Sequence, residues 1–160
     1  MNLEKINISE DKQYFEVWEH NKRNSTLLFS CTYFPKYFLS VQKWYGYIEE
    51  NKIIEIYKIL SKHAFDNKQF ILGSISDIAE IDGSFHYSNQ WVTEKYIPKS
   101  IGYGYRYAFF VKPKDLIAEL ALEDAVESLE KIQGLQEVKI FEGFEEALMY
   151  AQEKLSHPKN

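Results

Sequence analysis

The second half of the chain alternates short apolar runs with stretches whose apolar residues recur at helical spacing. The apolar runs are Gln69 to Ile75, Tyr105 to Val111 and Glu137 to Phe141. Strands separated by helices predict a parallel sheet with crossover connections. The first half reads differently. Tyr14 to Trp18 alternates and is rich in aromatics, Asn21 to Asn24 supplies turn residues, and Leu27 to Phe34 is a second extended run stopped by Pro35. Tyr37 to Ile48 is β-branched and aromatic and contains Gly46, which favours a third strand over a helix.

Helices are expected in four places. In Glu50 to Lys62, Ile53, Ile56, Tyr57 and Leu60 share one face, widened by Ile54 and Ile59. Phe70 to Ile75 then reads as a central strand, Ser76 to Asp82 as a polar exit loop, and Asp82-Gly83-Ser84 as a turn. Tyr87 to Ile97 looks helical and is limited or kinked by Pro98. Asp115 is the expected N-cap of the longest helix, with Ile117, Leu120, Ala121, Ala125, Leu129 and Ile132 as its buried stripe and Gly134 as its stop. Phe144, Ala147, Leu148, Ala151 and Leu155 form the stripe of a terminal helix, followed by a frayed tail from Ser156 to Asn160.

The predicted class is therefore α/β: a single-layer mixed β-sheet, antiparallel in its N-terminal strands and parallel in its C-terminal strands, with about four helices. Residues 1–160 are expected to form one domain, with the N-terminal strands over about 12–48 and the alternating region over about 50–156.

Composition narrows the function classes. Aromatics make up 16% of the residues, which favours a packed domain over disorder. The net charge of −5 argues against nonspecific nucleic-acid binding and against anionic membrane surfaces, both of which need clustered Lys and Arg. No apolar run approaches the ~20 residues that span a bilayer, and Met1 to Gln13 lacks a secretory pattern, so a cytoplasmic location in a bacterium-like cell is expected. The lone Cys31 lies among Leu28, Phe29, Tyr33 and Phe34, as a buried structural thiol on a strand.

The element order resembles the STAS or SpoIIAA-like fold of anti-sigma-factor antagonists, over roughly Tyr37 to Leu155, and more narrowly the small bacterial STAS/SEC14-type proteins of unassigned function. The stretches that carry the resemblance are Lys43-Trp44-Tyr45-Gly46-Tyr47, Trp91 to Pro98, Phe109-Phe110-Val111-Lys112-Pro113 and Phe141 to Ala147. In antagonists of that family a phosphorylated serine sits in an Asp-Ser-Ser-Gly-like turn at a helix start. The matching stretch here is Ile81-Asp82-Gly83-Ser84-Phe85. Gly83 takes the acceptor's place, so Ser84 serves only if the register slips by one; it reads first as a cap or turn residue.

No catalytic, metal or cofactor set emerges. His20, His63, His86 and His157 form no ligand spacing. Only His86 lies near a site-like loop, and a triad of Ser84, His86 and Asp77 has no nucleophile elbow to support it. Gly102-Tyr103-Gly104 precedes a strand, so it is a helix stop and not a phosphate loop. Asp77, Glu80 and Asp82 read as a solvated acidic loop.

The unusual feature is an aromatic belt that includes Tyr33, Phe34, Tyr37, Phe38, Trp44, Tyr45, Tyr47, Phe85, Tyr87, Trp91, Tyr96, Tyr103, Tyr105 and Tyr107. Its bland reading is core and sheet face. Its sharper reading is a ligand pocket or partner surface. The leading functional expectation is a non-enzymatic, cytoplasmic STAS-like module that acts by binding a protein partner. The alternative is a module that binds a small apolar molecule or lipid in an aromatic-lined pocket. The candidate site comprises Asp82, Ser84, Phe85, His86, Trp91, Tyr103 and Tyr105. No cofactor, nucleic acid or membrane span is expected, and edge strands leave homodimerisation open.

Overall fold

In the computed structural model, which describes residues 2–8 and 13–156, the extended segments form seven strands. They are β1 (Asn2–Ile8), β2 (Gln13–His20), β3 (Ser25–Phe34), β4 (Leu39–Tyr47), β5 (Gly73–Asp82), β6 (Tyr107–Val111) and β7 (Glu137–Phe141). All belong to one sheet, ordered as in the chain. The pairs from β1 to β4 are antiparallel, and those from β4 to β7 are parallel. The fold is α/β with a mixed sheet, as the alternation of runs predicts. Strand β1 was not expected; it pairs along the edge with a register shift between Glu4 and Asn7. His157 and the rest of the expected tail, 157–160, lie outside the described residues.

The crossovers are α1 (Glu50–Asp66), a composite helix and α4 (Leu116–Glu130), and α5 (Phe144–Ser156) closes the chain. The composite consists of α2 (His86–Trp91), a π turn (Val92–Tyr96) and α3 (Ile97–Gly102). Parallel strands added in one direction through right-handed crossovers place every crossover helix on the same face. The packing agrees. Phe15, Phe29 and Trp44 of the sheet join Ile53, Ile56 and Leu60 of α1 and Ala118, Ala121 and Leu122 of α4 in one cluster. Leu39, Ile75, Phe109 and Phe141 face the other way, onto Ala147, Ala151 and Leu155 of α5. Period-2 alternation along β6 divides Tyr107, Phe109 and Val111 from Ala108.

Several expectations need correction. Ser76 to Asp82 is not an exit loop: it completes β5, so Asp77, Glu80 and Asp82 lie on a strand. That strand starts only at Gly73, and β6 only at Tyr107. Pro98 does not end the second helix. Proline has no N–H to offer the carbonyl one turn back, and the helix continues to Gly102 through the π turn that precedes it. On α4, Ile117 and Leu120 are more than half exposed, and the buried stripe is Ala118, Ala121, Leu122, Ala125 and Leu129. The helix ends at Glu130, before Gly134, whose φ is nevertheless +109°. Asp115 caps α4 as expected, its carboxylate accepting from Ala118 N. Cys31 is buried on β3 beside Ser40 Oγ at 3.4 Å, and burial pushes its thiol up to about 12.

Candidate functional site

The centre of the helix-covered face is built from small and polar side chains. Parallel register sets Ser40 beside Ser74 and Gln42 beside Ser76. The next pair sets Ser74 beside Ala108 and Ser76 beside Phe110. Apart from Phe110, these side chains are too short to fill the gap to the helix layer. The helices, in contrast, carry bulk: Tyr57 on α1, Trp91 on α2 and Tyr96 in the π turn. A pocket of about 1000 Å³ remains between floor and walls.

Its floor includes Gln42, Trp44, Ser74, Ser76 and Ala108. One wall is α1, through Ile53, Tyr57, Ser61 and Phe65, and the other is the composite helix, through Trp91, Val92, Tyr96 and Ser100. Phe70 and Tyr103 also border the space, and both are exposed. The aromatic rings brace the walls. Tyr57 lies 5.2 Å from Trp44, 4.7 Å from Tyr96 and 6.4 Å from Trp91, between ring centroids. Lys58 reaches across from α1 to within 5.9 Å of the Trp91 ring.

The polar groups at depth are neutral. Ser74 Oγ and Tyr105 Oη share a 2.6 Å hydrogen bond, and Ser76 Oγ donates to Gln42 Oε1 at 3.5 Å. Burial pushes the Tyr105 phenol up to about 12, although the bond to Ser74 pulls the other way. Tyr57 and Tyr96 are raised first by burial and then by neighbouring phenols, Tyr105 for the former and Tyr57 for the latter. These three tyrosines are therefore hydroxyl groups and not tyrosinates near neutral pH. The pocket can hold an apolar body, sort it by shape against aromatic faces and offer uncharged hydrogen bonds.

Of the expected site residues, Phe85, Trp91, Tyr103 and Tyr105 meet around this pocket. Asp82, Ser84 and His86 do not: all are exposed on the outer side of the turn between β5 and α2. Ser84 Oγ accepts from the His86 backbone N–H at 3.2 Å, the His86 ring lies 3.7 Å from Asp124, and Asp77 accepts from Ala79 N. Ser84, His86 and Asp77 thus form no hydrogen-bonded triad. Sequence reasoning missed Tyr57, Gln42, Ser74, Ser76 and Ser61. The signal available was the serine at alternate positions of a central strand, Ser74 and Ser76 around Ile75. Among the described residues, no group of three or more His, Cys, Asp or Glu side chains is placed to hold a metal ion, and no helix is long and apolar enough to cross a membrane.

No family model matches the chain, and no curated protein is detectably similar to it.

Proposed function

We propose that this protein is a non-enzymatic, cytoplasmic module that binds a small apolar molecule in the aromatic-walled pocket. The observation that carries this reading is the volume. About 1000 Å³ bordered by Trp44, Tyr57, Phe85, Trp91 and Tyr96 sits at the top of the ~300–1,000 Å³ range of small-molecule sites. Convergent uncharged hydroxyls on the floor fit the usual pattern of a few polar groups in an apolar lining. Two of the three tryptophans, Trp44 and Trp91, border the pocket and report on its contents. The test is titration with N-phenyl-1-naphthylamine, an uncharged fluorophore. Saturable enhancement with energy transfer from tryptophan is expected. A linear, unsaturable response, with no ligand retained in native mass spectrometry, rejects the reading.

A second reading, the protein-binding role that the STAS resemblance implies, is favoured by a separate surface. Leu116, Ile117 and Leu120 at the start of α4 are 69%, 57% and 56% exposed and adjacent on the helix. Apolar side chains grouped this way are a common feature of partner surfaces. A partner recovered by the wild type and lost on I117K/L120K supports it; a partner retained by that variant rejects it.

A further inference from the structure

Charge around the pocket is segregated. The chain has more acidic than basic residues, 24 against 19. Yet the pocket is bordered by five lysines, Lys58, Lys62, Lys68, Lys95 and Lys99, and by no aspartate or glutamate. All five are exposed, so they stand at its mouth and not on its floor. They come from both walls and from the loop after α1, so the charged side chains that border the pocket carry one sign of charge. Lys62 is neutralised by Asp66 one turn on, at 2.6 Å. Lys58, Lys68, Lys95 and Lys99 have no ion-pair partner among the described residues.

Resting on the pocket reading above, we infer that the ligand is an anionic amphiphile: an apolar body held between the aromatic walls, with a single acidic head at the lysine-ringed mouth. The orientation follows from solvation. A charged head buried at the floor would lose its water and meet only neutral groups, Ser74, Ser76, Gln42 and the Tyr105 phenol, which already bond to one another. At the mouth the head keeps its water and gains several nearby ammonium groups. The exposed lysines also raise the local concentration of anions near the opening of an otherwise acidic protein. Phe65, which is 78% exposed, and Tyr103, which is 68% exposed, offer apolar contact to the segment next to the head.

The test uses one alkyl chain with three heads: decanoate, decanol and decyltrimethylammonium, each competing with N-phenyl-1-naphthylamine. A plain apolar pocket favours decanol, the least hydrated of the three. The lysine ring predicts instead that decanoate binds best, by about tenfold over decyltrimethylammonium if two modest surface ion pairs form. Added salt should shrink that ratio, and K95E/K99E should lower or invert it, with melting curves confirming that the variant folds. If the fluorophore binds the wild type but decanoate shows no preference over decyltrimethylammonium, the head-group assignment fails alone. If the fluorophore does not bind at all, the pocket reading fails and this inference with it.

Discussion

Filling the pocket from α1 should stabilise the protein, whereas filling a closed core would not. Ser61 is half-buried, borders the pocket one turn after Tyr57, and its hydroxyl has no hydrogen-bond partner among the described residues. Ser61→Leu therefore removes no bond. It adds apolar groups worth ~0.8 kcal/mol per fully buried methylene, or about 1 kcal/mol at half burial. Leucine also suits a helix interior better than serine by a few tenths of a kcal/mol. Ordering the longer side chain costs ~0.5–1 kcal/mol. The net expectation is about 0.5–1 kcal/mol of added stability, or a rise of roughly 1–4 °C in melting temperature for a domain of this size. Extra methylenes forced into a packed layer would instead cost ~1–3 kcal/mol. Urea denaturation followed by tryptophan fluorescence reads the sign. In parallel, the variant should bind N-phenyl-1-naphthylamine less tightly, because its new side chain occupies the fluorophore's space. A destabilised Ser61→Leu would refute the reasoning, because it would mean that α1 already packs against the sheet at this position.

Other perturbations check the supports of the site. Tyr105→Phe should cost about 1 kcal/mol in urea denaturation, since it leaves the Ser74 hydroxyl without its 2.6 Å partner. Asp115→Ala should cost ~1–2 kcal/mol, because one carboxylate oxygen accepts from Ala118 N at 3.0 Å and from Gly83 N at 3.1 Å; Asp115→Asn should recover most of that loss. Gly104→Ala should destabilise by ~2 kcal/mol: its φ is +106°, and a Cβ there would overlap the Phe70 ring, meeting Cζ at 2.8 Å. Stability should also fall in alkali. The Tyr105 phenol is raised in the fold from 10.0 to about 12, so its contribution is complete below pH 10.0 and is lost as pH rises towards 12. The loss is on the order of 2–3 kcal/mol, seen as a falling urea midpoint that coincides with the appearance of tyrosinate absorbance.

Much of the frame was legible in the pattern of apolar residues, and the failures have physical causes. In α1 and α5 each apolar stripe is bounded by charged residues, so periodicity names one face: Ile53, Ile56 and Leu60 in the former, Ala147, Ala151 and Leu155 in the latter. The start of α4 has apolar residues on every side. There the small Ala118, Ala121 and Ala125 face the sheet and let the helix approach closely, which turns Ile117 and Leu120 outward. Periodicity alone does not choose between those stripes. The second half of β5 reads as a loop because Ser76, Asp77 and Glu80 are polar, yet β6 pairs with the strand as far as Asp77 and β4 as far as Asp82, and that ladder holds it extended. Polar residues in a central strand were the trace of a pocket. The belt residues Phe85, Trp91, Tyr103 and Tyr105 are spread along the single crossover from β5 to β6, and only the path of its composite helix brings them together.

The pocket is maintained by three separate features rather than left by loose packing. Small side chains on β4, β5 and β6 lie side by side in register, which places the hollow at the middle of the sheet and not at an edge. The π turn interrupts the composite helix where it crosses this hollow, and Trp91, Val92, Thr93, Lys95 and Tyr96 all border the space. Widened helical turns of this kind are frequent at functional sites. The rings of Trp44, Tyr57, Trp91 and Tyr96 then touch one another from sheet to helix and from helix to helix, so the walls cannot close without breaking those contacts. A sequence selected for stability alone would replace Ser61, and the bonded pairs Ser74 with Tyr105 and Ser76 with Gln42 together, by apolar side chains that fill the space and gain buried area. Keeping hydroxyls under an aromatic arch forgoes that gain, and a ligand of the proposed kind would supply the physical reason to forgo it.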